Sequence, residues 1–454
     1  SLGQSIAKLN AQITQAMGSS GTPNELLDQR DATIQKLAKL VGVQVTQQNN
    51  GTVNVALGKG QPLVVGAQAI KLKIASSPFD SSRSEIALAT TGQVISGQLS
   101  GGDVGGLLSV RDSVVVPALN QLGRLAAALA ISVNAQNQKG MDLNGQLGGK
   151  LLSIGGPVVL PAGANTGTAT LSARISNVSQ LSASDYTLSR TASGWTLTAS
   201  DGSNVLMSGA GTTTSPFTAA GLSLVVSGTV QTGDRYQIQP TRSLAQGLGR
   251  VSNDPTRIAA AVPVRSAAAP ANTGKASIGT PSVTHGSNLN LLNPVSIQFI
   301  TPTAYQINGA GSYAYTSGTP IAINGWQVAI SGTPAIGDQF TVQANTGGVG
   351  DNGNALKLAG LAAVNLLDGG TTTLGGAYGQ LVAGTGTLTA QSQTQLDTAT
   401  AVANQAQAAQ QSVAGVNLNE EAAKLLRFQQ SFQAAAHVIS TAQTLFQTLL
   451  QAVR

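Results

Sequence analysis

The strongest constraint on the fold is an apolar stripe near the C-terminal end of the sequence. Its members alternate in steps of three and four positions, the spacing of one face of an α-helix. They are Leu425, Phe428, Phe432, Ala435, Ile439, Ala442, Phe446, Leu449 and Val453. Asn417 is a candidate N-cap, and Glu420 three residues later completes a capping box. The sequence therefore predicts an amphipathic helix over residues 415–454.

The period of this helix does not decide what its apolar face packs against. Such a stripe is buried either in a bundle within one chain or in a coiled coil between subunits. The opposite face consists of Gln, Ser, Thr and Ala and carries almost no charge. A helix exposed on the surface of a monomer usually carries more Lys and Glu. This composition favours packing between subunits, and we interpret the chain as a non-enzymatic assembly protein.

A second stripe opens the sequence and predicts another helix. Its members, at 4-3-4 spacing, are Leu2, Ile6, Leu9 and Ile13. The pattern stops at Ser19-Ser20-Gly21, and a helix start follows immediately. The N-cap, first-turn proline and capping-box residue of that start are Thr22, Pro23 and Glu25. We expect this second helix to run to about Val41.

The period then changes from that of a helix to that of a strand. Alternating apolar residues on both sides of Asn50-Gly51 predict a β-hairpin, with strands around Val43–Val45 and Val53–Leu57. Further short strands are predicted at three segments: Ile70–Ile74, Glu85–Leu88 and Val94–Leu99.

A long helix is predicted next, from about Gly105 to Asn137. Its heptad positions are Leu108, Val115, Leu122 and Leu129, with Leu119, Ala126 and Val133 between them. Pro117 conflicts with this prediction, because a proline inside a helix removes a hydrogen bond and should kink or break it.

The middle of the chain reads as two related β modules. Thr, Ser and Gly dominate from residue 155 to 345, in short alternating segments. Three blocks recur there: 165–171 as 272–278, 224–229 as 328–333, and 233–238 as 337–342. The Ala-rich segment between the repeats, Ser243 to Val264, is expected to be partly helical.

Helices return after residue 345, at about Asn354–Leu367 and Gln391–Val413. We therefore predict an α+β multidomain protein: an elongated helical bundle or coiled coil formed from both ends of the chain, with inserted all-β modules. Residues 1–154 together with 346–414 are predicted to form a helical-bundle domain that carries a β-hairpin. The two β modules are predicted at 155–270 and 271–345, and the terminal assembly helix at 415–454.

Composition excludes several classes of function. Cysteine is absent, which rules out disulfides, Cys-based zinc sites and thiol catalysis. The net charge of +6 is spread thinly, without a basic run interleaved with aromatics, so we expect no nucleic-acid binding. The sequence contains no run of about 18 apolar residues, so we predict no membrane-spanning helix. The chain begins without Met and inside a helical pattern, and we expect it to be a fragment without its natural N-terminus and without a cleavable signal peptide.

The side chains needed for catalysis or ligand binding are not grouped in the sequence. His285 and His437 have no Cys or His partner at metal-ligand spacing. The Gly-rich run at 347–350 lacks the Gly-Lys-Ser/Thr ending of a phosphate-binding loop. We expect no catalytic residues, no metal and no cofactor.

Short motifs on both flanks resemble the bacterial flagellar hook-associated protein 1 family. They are Asn24-Glu25-Leu26-Leu27-Asp28-Gln29-Arg30-Asp31, Gly105-Gly106-Leu107-Leu108 with Arg111-Asp112, Leu122-Gly123-Arg124-Leu125-Ala126 with Asn134-Ala135-Gln136, Gly350-Asp351-Asn352 with Asn354-Ala355-Leu356, and the run Gly415-Val416-Asn417-Leu418-Asn419-Glu420-Glu421-Ala422-Ala423 followed by Leu426-Arg427-Phe428-Gln429-Gln430. The closing motif is shared with related axial proteins, whereas its combination with the segment at 24–31 is more specific to this family.

The resemblance implies a structural protein of the bacterial flagellum at the junction of hook and filament, needed for flagellum assembly and motility. It implies type III export without a cleaved signal peptide and an extracellular location. Implied partners are the hook protein, the second hook–filament junction protein, further copies of the chain in a ring, and an export chaperone at the C-terminal region. In the family the terminal N- and C-helices pair, and this sequence lacks the family's N-terminal helix.

Two alternatives stay open from the residues. The chain could be a surface adhesin that uses its repeated β modules, or a sister axial protein such as the second junction protein or a flagellin. Under the leading interpretation, the residues expected to mediate assembly come from both stripes: Leu425, Phe428, Phe432, Ile439, Phe446, Leu449, Val453, Leu2, Ile6, Leu9 and Ile13.

Overall fold

The structure is a computed structural model that describes residues 1–18, 23–414 and 418–452. The chain divides into two compact units, Ser1–Thr385 and Gly386–Arg454. Helices lie at both ends and β-sheets occupy the middle, so the α+β multidomain prediction holds at this level. The predicted N-cap Thr22, and Gly415, Asn417, Val453 and Arg454 near the other end, lie outside the described residues.

Two helices and a small sheet form the N-terminal part of the first unit. The elements are α1 (Leu2–Met17), α2 (Asn24–Leu40), β1 (Val43–Gln47), β2 (Val53–Leu57), β3 (Gln61–Val65), β4 (Gln68–Ala69), β5 (Leu72–Ser76) and β6 (Ser84–Leu88). Strands β1 to β4 form an antiparallel meander, and β5 pairs with β6. The predicted hairpin is present, with Gln47 opposite Val53 and Gly51 in a left-handed conformation at φ 80°.

The strand predicted at Val94–Leu99 was wrong. Ser96–Gln98 forms a 3₁₀ turn, and Val94 makes a single bridge to Ala87. The Ser96 hydroxyl accepts a hydrogen bond from the Ile86 backbone N–H at 2.8 Å. The Ser96 side chain thus satisfies the Ile86 N–H, which the backbone of a paired strand would otherwise satisfy.

The long central helix contains a local change of pitch that accommodates its proline. It consists of α3 (Gly102–Val110), a π-helical turn over Arg111–Val115, and α4 (Val116–Asn137). Pro117 therefore lies in the first turn of α4, just after the widened turn, where the missing N–H is tolerated. The predicted helix is present, and the π turn removes the expected conflict.

The same helix, Gly102–Asn137, is long and apolar enough by composition to cross a membrane, and among the described residues it alone passes that test. Its most apolar window is 33% buried in the protein. The buried side of α4 includes three asparagines, Asn120, Asn134 and Asn137. These asparagines bond to neighbouring segments, so the buried side of the helix packs within the first unit.

The first β module packs against α4. Its strands are β7 (Leu152–Ser153), β8 (Val158–Pro161), β9 (Thr170–Ile175), β10 (Tyr186–Thr191), β11 (Gly194–Ala199), β12 (Asn204–Val205), β13 (Phe217–Ala219), β14 (Leu222–Ser227), β15 (Arg235–Gln239) and β16 (Gly249–Arg250). They form a sheet of order β12-β11-β10-β15-β8, a second of order β13-β14-β9, and the pair β16-β7. Ala127 of α4 joins the apolar core of this module.

The second module repeats this topology. Its strands are β17 (Val264–Ala268), β18 (Ser277–Ile278), β19 (Ser282–Val283), β20 (Val295–Thr301), β21 (Ala304–Ile307), β22 (Ala310–Ala314), β23 (Pro320–Ile323), β24 (Trp326–Ser331) and β25 (Gln339–Ala344). The larger sheet has the order β22-β21-β20-β25-β17, which matches β12-β11-β10-β15-β8 strand for strand. Trp326, Phe299 and Phe340 fill its core.

The repeated Gly-Asp steps form the same hydrogen-bonded clamp in both modules. Asp234 accepts backbone N–H bonds from Thr166, Gly167 and Gln231. In the second module, Asp338 accepts the corresponding bonds from Thr273, Gly274 and Ala335. The backbone N–H donors, first those of Gln231 and Ala335, hold the pKa of both carboxyl groups below the usual value.

The segment Ser243–Val264 is not helical apart from a 3₁₀ turn at Pro255–Arg257, so that expectation was wrong. Its backbone instead pairs with neighbouring segments, for example from Ala261 N–H to Met141 C=O at 3.2 Å. High helix propensity of Ala is overridden here by tertiary hydrogen bonds.

The remaining elements follow the second module. They are α5 (Gly353–Gly360), β26 (Asn365–Leu367), β27 (Thr372–Thr373), α6 (Leu374–Ala414) and α7 (Leu418–Ala452). Helix α5 is shorter than the predicted Asn354–Leu367, and α6 begins well before the predicted Gln391. In the second unit, the described side chains of residues 386–412 and 419–451 are all exposed.

Candidate assembly surfaces

Helix α7 presents the described part of its apolar stripe, from Leu425 to Leu449, to solvent. The exposed fractions of Phe428, Phe432 and Phe446 are 72%, 77% and 65%. Those of Leu425, Ile439 and Leu449 are 63%, 59% and 64%. With 35 residues the helix is about 52 Å long. Glu420 and Glu421 lie in its first turn, where negative charge interacts favourably with the helix dipole.

Burial of an exposed apolar stripe of this size strongly favours association with another helix. Burial of one large apolar side chain contributes roughly 1.5–3 kcal/mol, so six such residues could contribute on the order of 10 kcal/mol. Val438 and Leu445 are also exposed, at 68% and 63%, and they widen the stripe on one side. In the described part of α7, the polar opposite face has one ion pair, from Lys424 to Glu421 at 3.0 Å.

The stripe of α1 has a different environment. Ile6 and Ile13 are fully buried, and Leu2 and Leu9 are half-buried. Ile6 belongs to the apolar core formed with the sheet of β1 to β4. The expectation that all four mediate assembly stays a prediction, and in the structure Ile6 and Ile13 are core residues of the subunit. The sequence signal for this was the apolar alternation of β2, which needs a cover on one face.

A buried amide fixes α1 on this sheet. Asn10 is fully buried, and its Nδ2 donates to the C=O groups of Val53 and Gly66, both at 2.7 Å. Its Oδ1 accepts from Val53 N–H at 3.2 Å. Sequence reasoning missed this residue because a polar residue on an apolar helix face carries no signal of its partners.

The motif at residues 24–31 stabilises the β1–β2 hairpin. Its Arg30 side chain is buried, and Nη1 donates to the C=O of Gly51 at 2.8 Å, in the hairpin turn. Asp31 lies 3.7 Å from Arg30 Nε. The motif is therefore explained by a contact inside the subunit.

The motif at residues 122–126 joins α4 to two other segments. Gly123 approaches the backbone so closely that a Cβ there would lie 1.7 Å from the C=O oxygen of Thr241. Arg124 forms an ion pair with Asp368, which precedes α6. Glycine is required at 123 by this close approach to the first module.

Amide side chains at the C-terminal end of α4 and the start of α5 form a joint, which we call the amide joint. Its members are Asn134, Gln136, Asn137 and Asn354. Asn134 Oδ1 accepts from the N–H groups of Leu151 and Leu152, where the chain leaves for the first module. Asn137 Oδ1 accepts from Ala259 N–H between the modules. These contacts link α4 to the segments that lead into and out of the first module.

Asn354 completes the amide joint from α5. Its Nδ2 donates to the C=O groups of Ala259 at 2.6 Å and Gln136 at 3.2 Å. Its Oδ1 accepts from Gln136 Nε2 at 2.6 Å. Two motifs that are far apart in the sequence, at 134–136 and 354–356, therefore meet in one buried contact.

A charged cluster lies at the π turn. Glu85 is buried and forms ion pairs with Arg83 at 2.6 Å and Arg111 at 3.3 Å, and both arginines also contact Asp112 at 2.9 Å. Burial raises the pKa of Glu85, but bonds from Ser96 and Arg83 outweigh it and leave the pKa below the usual value. The cluster holds the β5–β6 hairpin on the central helix.

The described residues do not group the His, Asp and Glu side chains that a metal site needs. Across residues 1–18, 23–414 and 418–452, no group of three or more His, Asp or Glu side chains could hold a metal ion. His285 contacts the hydroxyl of Thr284 at 3.1 Å, and His437 is an exposed residue of α7. The described side chains of the second unit, from both α6 and α7, are exposed instead.

Three family models match the chain. One described as "Flagellar hook-associated protein FlgK helical domain" matches residues 1–152, and one described as "Flagellar hook-associated protein 1, D2-like domain" matches residues 161–240. A third, "Flagellar basal body rod FlgEFG protein C-terminal", matches residues 409–452. The last match covers most of α7.

Whole-length comparisons agree with these matches. The chain is 29% identical to flagellar hook-associated protein 1 of Salmonella typhimurium strain LT2 and 28% identical to that of Escherichia coli K12, over 98% of the chain and 68% of each relative. It is similar to the solved structure of the flagellar hook junction protein FlgK from Burkholderia pseudomallei, with a TM-score of 0.80 and 34% identity over 91% of this chain and 82% of that one.

Proposed function

The chain belongs to the flagellar hook-associated protein 1 family, structural proteins of the junction between hook and filament, and from this premise we propose that it assembles through helix α7. As a member of that family it is part of the extracellular flagellum and contributes to flagellum assembly and motility. Its matches over residues 1–240 are to hook-associated protein 1. Neither an adhesin nor a sister axial protein is favoured by them, and no catalytic role is proposed.

The proposed mode of assembly is an axial ring in which α7 packs in a coiled coil with other helices. The observation that carries it is the exposed stripe of α7, with Phe428, Phe432 and Phe446 each at least 65% exposed. A helix of about 52 Å with such a face is costly to leave in water. The remaining stripe residue, Val453, extends the same spacing.

The proposed partners follow the two ends of such a ring. One face would contact the hook protein and the other the second hook–filament junction protein, with neighbouring copies at the sides. An export chaperone at the C-terminal region would cover the α7 stripe before assembly. A chain exported without a cleaved signal peptide needs such a cover, because an exposed apolar helix associates non-specifically.

The test replaces the three stripe phenylalanines together, as Phe428→Ser, Phe432→Ser and Phe446→Ser, in a strain without its own copy. Truncation of a buried Phe costs roughly 3–5 kcal/mol, so the triple variant should not hold filaments on hooks. Since these side chains are exposed in the free chain, its secondary structure and thermal unfolding should not change. Electron microscopy should show hooks without filaments, and filament subunits should appear in the medium.

The matched control changes the opposite face of α7 by Gln430→Ser, Gln433→Ser and Thr444→Ser. These positions are also exposed, and the substituted residue is the same. Cells with the control variant should swim and carry filaments. Normal filament numbers on cells with the phenylalanine variant would overturn assembly through α7.

A further inference from the structure

The second β module differs from the first in its surface charge. Between Lys275 and Asp338 the sequence contains no Asp, Glu, Lys or Arg. The matching stretch of the first module, between Thr168 and Asp234, contains four charged residues, Arg174, Asp185, Arg190 and Asp201, of which Asp185 is buried. The two modules share one topology, so the fold itself does not require an uncharged surface. Depletion of charge is typical of the centre of protein interfaces.

The outer strand of the larger sheet also differs between the modules. In the first module this strand is β12, which has two residues. In the second it is β22, which has five residues, all exposed, on both faces of the sheet. Short or charged edge strands protect sheets from association, and β22 is neither.

An exposed tyrosine lies on this strand and stacks on a buried tyrosine of the neighbouring strand. Tyr313 of β22 is 46% exposed and stacks on Tyr305 of β21, with ring centroids 5.6 Å apart and 25° between the planes. The ring of Tyr313 also covers Gly311, where a Cβ would lie 2.8 Å from this ring. The register shift between Tyr305 and Ile307 marks a bulge, a feature that re-aims side chains at sheet edges. A Tyr supported in this way is a typical interface anchor.

We propose that the tyrosine edge, defined as β22 with Tyr305, is a contact surface between neighbouring copies of this chain, and that it docks on the uncharged surface of the neighbour's second module. This inference rests on the proposed function, because a ring brings equivalent modules of adjacent subunits side by side. Two uncharged surfaces can be buried together without the desolvation of ions.

The geometry of a ring defines the type of contact. Copies related by rotation about the flagellar axis meet through different patches, so the tyrosine edge contacts another part of its neighbour rather than the same edge. One strand buries far less than the roughly 800 Å² per partner of a stable interface. The contact therefore forms in the assembled ring, where α7 already holds the subunits together. In the free chain, this surface alone is too small to cause dimerisation.

The first experiment measures protection of the tyrosine edge. Because the chain has no cysteine, Tyr313→Cys and, as control, Asn204→Cys in β12 each introduce a single thiol. Both should react with a maleimide dye in the purified chain. In intact flagella, Tyr313→Cys should lose its labelling, whereas Asn204→Cys should keep it. Equal labelling of both variants in intact flagella would overturn the inference.

The second experiment identifies the occupant. Tyr313 is replaced by the photoreactive residue p-benzoyl-phenylalanine, and isolated flagella are irradiated. The expected product is a dimer of this chain with the cross-link at residues 276–337 of the second copy. Cross-links to the hook protein or the second junction protein, or no cross-link, would contradict a second copy as the occupant.

Immunogold labelling of the same flagella separates this inference from the proposed function. Without label at the hook–filament boundary, the proposed function fails. With label at the boundary but no protection and no cross-link, the contact at the tyrosine edge fails alone. Ser312→Lys adds a functional readout: a charge in the edge should increase the shedding of filaments under shear, and Asn204→Lys should not. Both residues are exposed, so thermal unfolding of the free chains should be unchanged.

Discussion

Asn354 gives the sharpest test of the packing within the first unit. The substitution Asn354→Ala removes a side chain that is 2% exposed and bonds to Ala259 C=O, Gln136 C=O and Gln136 Nε2. Each buried polar group left without a partner costs about 1–3 kcal/mol. Two groups lose their partner here, Ala259 C=O and Gln136 Nε2, whereas Gln136 C=O still accepts from Lys139 N–H. Allowing for water that enters the cavity, we expect a loss of about 3–5 kcal/mol in the local stability of α5 on α4.

Amide hydrogen exchange, followed by mass spectrometry on peptides from α5 and the end of α4, measures this loss locally. A local measurement is needed because unfolding of a chain with several domains is not a single two-state step. Asn354→Asp should be at least as destabilising, since it replaces a donor facing two carbonyl oxygens by an acceptor. Asn352→Ala is the control, because Asn352 is exposed and its side chain does not cap α5. If Asn354→Ala changed exchange no more than Asn352→Ala, the amide joint would not stabilise this contact.

Three further predictions concern other parts of the first unit. Gly123→Ala should loosen the first module from α4, because the added Cβ would lie 1.7 Å from the C=O oxygen of Thr241. Proteolysis at the module boundary should therefore increase. Gly106→Ala is the control, because a Cβ at Gly106 would meet no atom within 4 Å. Acid should open the Asp234 and Asp338 clamps. Folding lowers the pKa of both carboxyl groups, so the clamps stabilise the fold at pH values above the pKa of the unfolded chain. This stabilisation is lost as the pH falls through the pKa of the folded state, below about pH 4. Near-ultraviolet circular dichroism, followed downward from pH 5, should show this loss, and a signal that stays constant as the pH falls would contradict it. Ile6→Ala should cost about 2–5 kcal/mol in urea unfolding, and Phe432→Ala should cost almost nothing in the free chain.

The element types near the N-terminus could be predicted because local signals and tertiary structure agree there. Asn50-Gly51 sits between two alternating runs, and the hairpin forms as expected. Helix α6 was underestimated because glycines such as Gly376 and Gly379 lower helix propensity, yet the helix begins at Leu374. The π turn before Pro117 has no sequence signal of its own, and only the structure shows how the proline is accommodated.

The candidate site shows the limit of periodicity more clearly. The stripes of α1 and α7 have the same spacing, but Ile13 is fully buried and Phe432 is 77% exposed. Periodicity identifies a face that needs a partner, and it does not say whether that partner lies in the same subunit. The discriminating signal was nearby sequence: β2 offers an apolar sheet face next to α1, whereas the second unit contains no strand among its described residues.

This difference connects the fold to assembly. The motifs inside the first unit mainly stabilise the subunit, through Arg30 on the hairpin turn, Gly123 on the first module and Asn354 in the amide joint. The apolar stripe of α7, whose described large side chains are exposed, lies in the other unit. The physical separation of the two roles leads to a specific expectation: substitutions in the first unit should reduce filament attachment in proportion to lost folding stability, whereas substitutions on the α7 stripe should abolish attachment without lost stability.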